Sequence, residues 1–285
     1  MIGIYHSKDL DGIASAAILK RKFPDIILHP FDNGEKLDLS IYESEQPVIM
    51  VDIALPTYRD MLDVHNWSKW DFTWIDHHKS SIDKFNAEIA DDYALNRFKE
   101  HTRVGTAACE LCWEYFFPEE PLPKAIRLLS KYDVWNKDRE WPNVMAFQFG
   151  VRAICKSPDT FPKYLFEEDP FIDIDILIID GKLILDYQKI QDERLCHSSA
   201  FERNFEGYRL LCLTGCGVGS NTFKTAYNPD KHDLLCSFYY NGSYWKYSLY
   251  CMDDKDIDAS LVAIKYGGGG HKKACGFETK EFLLK

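Results

Sequence analysis

The chain has 285 residues, 46% hydrophobic and 28% charged, which is typical of a globular protein with enough material for one large or two small domains. Its formal net charge of −11 excludes non-specific binding to long duplex nucleic acid, which requires a basic face. It contains no apolar stretch near the roughly 20 residues of a membrane span and no signal-peptide pattern. Eight of its nine cysteines are scattered through apolar or mixed contexts, so we expect a reducing, cytoplasmic compartment and no membrane association.

Short apolar runs alternate with helical patterns through the first half of the chain. We predict strands at 2–6, 25–31, 47–54 and 72–76 and helices at 12–23 and 57–67. This alternation is typical of βαβ units and of a mainly parallel sheet with helices on both faces. Two further helices are predicted at 103–117 and 121–132, and the proline-containing segment 136–172 is predicted to be irregular.

The second half begins with a long segment of apolar periodicity, at about 174–204, that predicts a connecting helix weakened in its first third by Gly181. Beyond it we predict a strand at 208–215, a hairpin at 234–252 around an Asn-Gly turn, and a helix at 256–267. The fold class is therefore α/β, with a smaller C-terminal α+β domain. The predicted boundaries are 1–172 for the first domain, 173–205 for the linker helix and 206–285 for the second domain.

Acidic and histidine side chains follow three of the predicted strands. These residues are His6, Asp9, Asp11, Asp52, Asp76, His77 and His78, and Asp133 ends a predicted helix. Because the carboxyl ends of parallel strands meet at one edge of a sheet, we expect these groups to converge on one crevice. Crowded carboxylates need cations, and carboxylate plus imidazole suits Mn²⁺, Fe²⁺, Zn²⁺ or Mg²⁺. A carboxylate shared by two ions is typical of two-metal phosphoryl chemistry, so the set predicts a dinuclear hydrolase site.

Simpler interpretations exist for single members of this set. An aspartate before a helix, such as Asp9 or Asp11, usually caps it, and Asp52 could form a turn at a strand end. If each of these interpretations held, three strand ends would carry buried acids or histidines by coincidence. Such clustering of titratable groups favours a functional site. The Cys109 and Cys112 pair lies in a helical pattern without a second cysteine pair, so any role beyond apolar packing stays open.

A glycine-rich element, "YGGGGHKKACGFE", lies near the C-terminus. Its four consecutive glycines cost backbone entropy, and glycine lets backbone N–H groups approach a ligand closely. The neighbouring His271 and two lysines suit an anion such as a phosphate or a terminal nucleotide. The alternative is a helix exit with Gly267 at the cap, but a cap needs only one glycine, so we favour ligand contact by Gly267, Gly268, Gly269, Gly270 and His271.

In this order, "HSKDLDG", the aspartate of "VIMVDIA", "DHH", a later "YD" and "GGGGHKKACGF" resemble the DHH phosphoesterase superfamily, in its two-domain branch with a C-terminal DHH-associated domain. The resemblance covers almost the whole chain. Within the superfamily, the chain is similar to the oligoribonuclease and cyclic-nucleotide phosphodiesterase members. It implies a parallel-sheet catalytic domain, a linker helix and a smaller substrate-binding domain, with the active site in a cleft between the domains.

The resemblance also implies roles for single residues. One ion would be held by His6, Asp9 and Asp52, and a second by Asp11, Asp52, His77 and Asp133. Asp76 would orient its histidine neighbour, and His78 would face the scissile phosphate. Arg103 would contact substrate, and the glycine-rich element would bind the far end of the nucleotide.

The implied reaction is hydrolysis of a phosphodiester in a short single-stranded oligonucleotide or a small or cyclic nucleotide. Two divalent ions would assist it, most simply Mn²⁺, with Mg²⁺ and Co²⁺ as alternatives. Aromatic side chains of the hairpin, such as Tyr239, Tyr240, Tyr244 and Trp245, could stack on a base or simply pack against each other. A phosphoanhydride hydrolase and a non-catalytic nucleotide-binding module remain as alternatives, and a homodimer stays open.

Overall fold

The computed structural model of the protein describes residues 1–43, 45–88, 101–167 and 173–284. The chain forms two compact units, Met1–Leu185 and Asp186–Lys285, divided inside one long helix. The α/β fold class is confirmed, with a parallel sheet in the first unit and a mixed sheet in the second. The domain boundaries given by the sequence patterns stay a prediction.

The first unit is organised around four parallel strands. They are Ile2–His6 (β1), Ile27–Phe31 (β2), Val48–Val51 (β3) and Phe72–Ile75 (β4). Their order in the sheet is β2-β1-β3-β4, and every pairing is parallel. The chain therefore moves outward in one direction from β1 to β2 and in the other from β3 to β4. This reversal creates a switch point between β1 and β3, where open α/β sheets bind ligands beyond the strand ends.

Helices cover both faces of this sheet. They are Leu10–Lys22 (α1), Tyr58–Trp67 (α2), Lys79–Glu88 (α3), Ala108–Phe116 (α4), Lys124–Asp133 (α5), Trp141–Ile154 (α6) and Asp173–Ser199 (α7). Alternate strand residues point to opposite faces, so Ile2 and Ile4 join one apolar core, and Tyr5 and Val51 join the other. Because both faces are buried, β1 and β3 are nearly continuous apolar runs.

Two of the sequence-based element predictions are wrong. Segment 136–172 was expected to be irregular but contains α6, whose Pro142 lies in the first turn, where a missing N–H costs nothing. The connecting helix was expected to reach 204 but ends at Ser199, and the strand Phe201–Phe205 (β5) follows it. Of the helices in the described ranges, α7 included, none is both long and apolar enough to cross a membrane.

The second unit is a six-stranded mixed sheet. After β5 its strands are Tyr208–Thr214 (β6), Leu234–Tyr240 (β7), Trp245–Tyr250 (β8), Gly269–His271 (β9) and Ala274–Thr279 (β10), with the helix Ser260–Lys265 (α8). The order is β5-β6-β7-β8-β10-β9, and only β6 and β7 pair in parallel. The predicted hairpin is confirmed as β7 and β8, and Gly242 in its turn has a φ of +97°.

Candidate metal centre

The carboxyl ends of three neighbouring strands place the candidate residues. His6 is the last residue of β1, Asp52 follows β3, and Asp76 follows β4. The first turn of α1 supplies Asp11, and Asp133 is the last residue of α5. The sheet topology thus brings together residues that are far apart in the chain.

Asp52 lies at the centre of the group and is 1% exposed. Its backbone adopts a left-handed conformation, with a φ of +60°, which aspartate tolerates better than most residues. Its N–H still donates to the carbonyl oxygen of Ile75, at 2.9 Å. Its Oδ2 lies 3.5 Å from Nδ1 of His6, and its Oδ1 lies 3.3 Å from Nε2 of His77. One carboxylate therefore faces two imidazoles with different oxygens.

His6, Asp9 and Asp52 form the first group that could hold a metal ion. Nδ1 of His6 lies 2.9 Å from Oδ2 of Asp9. The other oxygen of Asp9 accepts the N–H of Gly12 at 3.0 Å, so this residue caps α1 and still faces His6. A Cβ on Gly12 would lie 2.0 Å from the carbonyl oxygen of His6, so only glycine lets α1 start this close to β1.

Asp11, His77 and Asp133 form a second such group. Nε2 of His77 lies 3.1 Å from Oδ2 of Asp133 and 3.4 Å from Oδ2 of Asp11. The two oxygens of Asp11 also accept the N–H groups of Ala108 and Cys109 at the start of α4, each at 2.8 Å. The amino end of a helix favours a carboxylate, so α4 holds Asp11 in place.

Asp76 and His78 form a pair beside these groups. Asp76 is fully buried, and its Oδ1 lies 2.7 Å from Nδ1 of His78 and accepts the backbone N–H of His77 at 2.7 Å. The histidine that Asp76 orients is therefore His78, whose side chain is 35% exposed. Asp52, His77 and His78 form the third group that could hold a metal ion.

Electrostatics in this cluster fit a cation. Burial lowers the pKa of His6, but the carboxylates of Asp52 and Asp9 outweigh it and raise the pKa to about 11. Burial likewise opposes protonation of His77, and Asp133 and Asp52 raise its pKa to about 11. Burial, followed by the charge of Asp52, raises the pKa of Asp11 well above its usual range. The cluster thus holds more negative charge than its own imidazoles neutralise.

The buried polar atoms at the centre of the cluster support the same conclusion. Both carboxylate oxygens of Asp52, Nδ1 of His6 and Nε2 of His77 are buried, and none of them makes a well-aligned hydrogen bond in the described part of the chain, although carboxylates and imidazoles lie close by. Such atoms are costly unless something satisfies them, and all four are good ligands for a divalent ion. The residues present therefore fit the metal ions that the family resemblance implies.

Asp32 is a further member of this site that the sequence patterns did not single out. It directly follows β2, and its Oδ1 lies 3.3 Å from Nε2 of His6, the ring nitrogen that faces away from Asp9 and Asp52. A carboxylate on the second nitrogen fixes the orientation of a metal-binding histidine. The same strand-end pattern that singled out Asp52 also applies to Asp32.

The predicted substrate contacts are less closely tied to this cluster. The guanidinium of Arg103 donates to Glu114 at 2.7 Å and to Thr106 at 3.2 Å, while its backbone N–H donates to the carbonyl of Asp76. Only its backbone therefore adjoins the cluster, and its contact with substrate stays a prediction. Cys109 and Cys112 are buried, and burial raises the pKa of both thiols, as expected for packed side chains.

The glycine-rich element lies in the second unit, and local structure requires three of its glycines. Gly267 follows α8 with a φ of +77°, as a helix C-cap does. A Cβ on Gly268 or Gly270 would lie under 3 Å from the backbone of β10. A Cβ on Gly269 meets no described atom within 4 Å, and His271 is exposed. Close strand pairing thus explains much of this run, and its ligand contact stays a prediction.

Comparisons with known proteins agree with this geometry. Residues 1–130 match the model of the DHH family, N-terminal domain. The chain is 28% identical over 251 residues to the uncharacterized protein R106 of Acanthamoeba polyphaga mimivirus. The match covers 80% of this chain and 52% of that protein. The chain thus spans about half the length of that curated relative.

Solved structures show the same fold at low sequence identity. The chain is similar to PggH, a pGpG-specific phosphodiesterase from Vibrio cholerae, with 12% identity, 98% and 93% of the two chains covered and a TM-score of 0.56. It is also similar to the DHH domain of a member of a family of ribosomal proteins, with 13% identity, 96% and 81% covered and a TM-score of 0.54. The residues that match the DHH family, N-terminal domain include Asp76, His77 and His78 of the described cluster, so this part of the chain is similar to that domain.

Proposed function

We propose that this protein is a divalent-metal-dependent phosphodiesterase that hydrolyses short oligonucleotides or small nucleotides, including cyclic ones. The observation that carries the proposal is the buried carboxylate of Asp52, which faces His6 and His77 with its two oxygens. A carboxylate placed in this way is typical of two-metal phosphoryl chemistry. The fold of a pGpG-specific phosphodiesterase supports a small nucleotide as the substrate class.

Two ions, Mn²⁺ first and Mg²⁺ or Co²⁺ as alternatives, would be held by the first and second groups, with Asp52 facing His6 of one and His77 of the other. Their ligands would be His6, Asp9, Asp11, Asp52, His77 and Asp133. When bound, divalent ions polarise the phosphoryl oxygens and make water a stronger nucleophile at neutral pH. Nearby, α4 holds Asp11 through two backbone N–H groups, and Asp32 holds the ring of His6.

His78 would stabilise the negative charge that develops on the phosphate. Burial lowers the pKa of His78, but Asp76 outweighs burial and raises it, so the ring is more readily protonated than a free histidine. With its Nδ1 held by Asp76 at 2.7 Å, the ring can donate from Nε2 to a phosphoryl oxygen. Arg103 and the glycine-rich element remain proposed contacts to the rest of the substrate, and a cytoplasmic location and a homodimer remain predictions.

The experiment is turnover by the metal-free chain supplemented with Mn²⁺, using a dinucleotide, a cyclic mononucleotide and pyrophosphate in parallel. We expect hydrolysis of a nucleotide substrate that EDTA abolishes and that Asp52→Asn lacks. Asp63→Asn, at an exposed position on α2, is the matched control and should behave like wild type. Turnover of pyrophosphate alone would instead indicate a phosphoanhydride hydrolase, and nucleotide binding without turnover would indicate a binding module.

A further inference from the structure

Three aromatic rings stack on one another around the end of α5, whose last residue is Asp133: Tyr132 in α5, Trp135 just after it and Trp141 at the start of α6. The ring centroids of Tyr132 and Trp141 are 5.9 Å apart with an interplanar angle of 7°. Trp135 stacks on both, at 6.2 Å from Tyr132 and 5.7 Å from Trp141. Although Trp135 stacks on two other rings, it remains 52% exposed. Trp135 is thus a rigidly supported ring that presents surface to solvent.

The backbone of Trp135 adopts a conformation that a bulky residue resists. Its φ is +54°, and it lies just after the helix C-cap, Val134. The N–H of Trp135 donates to the carbonyl of Tyr132, and the N–H of Asn136 donates to the carbonyl of Lys131. This is the Schellman motif, in which the left-handed position is usually glycine. A tryptophan at this position is strained, and strained residues concentrate at functional sites, so its surroundings decide whether the ring has a use.

The position of Trp135 relative to the cluster suggests that use. It lies two residues after Asp133, whose carboxylate is 3.1 Å from His77, so the Cα atoms of Trp135 and Asp133 are at most about 7.6 Å apart. A nucleotide also carries its base a short distance from its phosphate, across one ribose. Nζ of Lys137 lies over the Trp135 ring, 4.8 Å from its centroid, and a base that stacks on this face would displace its flexible side chain.

We propose that Trp135 is a stacking platform for a nucleobase of the substrate whose phosphodiester lies at the metal cluster. This inference rests on the proposed function and narrows it, because it makes the base part of what the first unit recognises. It predicts a preference for base-bearing substrates over phosphates without a base. Stacking of a base on an aromatic side chain tolerates any sequence, so the platform sets substrate class and not base identity.

The test compares 5′-phosphorylated diadenylate with the same dinucleotide lacking both bases, in the full chain with Mn²⁺. The readout is the ratio of the two kcat/KM values. Trp135→Gly removes the ring and accepts the left-handed backbone, and we expect it to lower the ratio roughly 5- to 150-fold. Trp135→Phe keeps a ring and should retain most of the preference.

Trp70→Gly is a matched control. Trp70 is also exposed and has a φ of +74°, but it precedes β4, so the length of that strand separates it from His77. This variant should keep the wild-type ratio. An unchanged ratio in Trp135→Gly, or an equal loss with both substrates, would overturn the platform while leaving the phosphodiesterase in place.

A binding measurement decides the case in which wild type hydrolyses neither dinucleotide, because it tests the platform without turnover. Calorimetric titration with AMP and with ribose 5-phosphate measures the contribution of the base directly. We expect wild type to prefer AMP and Trp135→Gly to lose that preference by the same roughly 5- to 150-fold factor. Equal preference in the two proteins would overturn the platform.

Discussion

Two adjacent histidines at the end of β4 face different partners. His77 directs Nε2 toward Asp11, Asp52 and Asp133, whereas His78 directs Nδ1 toward Asp76. We therefore expect His77→Ala to lose Mn²⁺ affinity, because it removes an imidazole ligand. His78→Ala should keep Mn²⁺ but lower kcat by roughly 10²- to 10³-fold, as loss of a donor to a developing charge does. Mn²⁺ titration beside steady-state kinetics measures both effects, and equal loss of Mn²⁺ in the two variants would refute the division of roles.

Asp32 gives a second prediction for a single residue. In Asp32→Asn the side chain keeps its size but loses the charge that fixes the ring of His6. We expect Mn²⁺ affinity to fall roughly 10- to 100-fold, the usual effect of losing a partner behind a metal ligand. Asp25→Asn, at an exposed position before β2, is the control and should bind Mn²⁺ like wild type. Wild-type affinity in Asp32→Asn would show that the contact is incidental.

The residues of the cluster were predictable from sequence to the extent that they follow strands. His6, Asp52 and His77 each end or follow a short apolar run, and parallel strand ends must meet. The left-handed backbone of Asp52 was not predictable, because it depends on how the turn after β3 pairs with Ile75. Asp32 obeys the same strand-end pattern but lies in a sequence, "HPFDNG", that also suits an ordinary turn.

Helices α6 and α7 pack so closely that glycine is required on both. A Cβ on Gly181 would lie 1.7 Å from the carbonyl oxygen of Ala146, and one on Gly150 would lie 2.1 Å from that of Leu177. We expect Gly181→Ala to lower the free energy of unfolding by about 1–3 kcal/mol, although alanine stabilises an unconstrained helix. Urea unfolding measures this change. In the control Gly219→Ala a Cβ meets no described atom within 4 Å, and destabilisation equal to that of Gly181→Ala would contradict the packing argument.

An ion pair joins α5 to the start of α6. Arg127 and then Lys131 donate to Glu140 at 2.8 and 2.7 Å and lower its pKa from 4.5 to about 2. A lowered pKa stabilises the fold above the unfolded value of 4.5, and this stability is lost as the pH falls toward 2. Between pH 7 and pH 4 wild type should therefore lose about 0.5–0.8 kcal/mol more unfolding free energy than Glu140→Gln, allowing for solvent screening. Urea titration at the two pH values measures this difference. If wild type and Glu140→Gln lost the same unfolding free energy, the assignment would be contradicted.

The helices and strands of the first unit could be predicted from the sequence where apolar runs alternate with helical patterns. The failure at 136–172 has a specific cause, since prolines at 142, 158, 162 and 170 mask the apolar periodicity of α6. A proline in the first turn does not destabilise a helix. The position of Pro142 in the helix therefore decided the structure more than the number of prolines in the segment. Likewise, Gly181 weakens α7 as an isolated helix but permits its contact with α6.

The acidic cluster accounts for part of the negative charge of the whole molecule. Part of the net charge of −11 is concentrated at the carboxyl end of the parallel sheet, where metal ions would offset it locally. With such ions bound, the proposed anionic substrate would meet positive local charge even though the protein as a whole is acidic. The second unit contributes a separate sheet whose glycine-rich strand β9 is a proposed contact for the far end of the substrate.

Equilibrium binding of Mn²⁺, followed by the electron paramagnetic resonance signal of the free ion, tests most directly whether Asp52 is shared by two metal sites. The wild-type chain should take up two Mn²⁺ ions. Asp52→Asn keeps the size of the side chain and tolerates the left-handed backbone, so it should fold but bind Mn²⁺ at least about tenfold more weakly at both sites. Absence of binding in wild type, or undiminished binding of two ions by Asp52→Asn, would contradict a metal centre built around this residue.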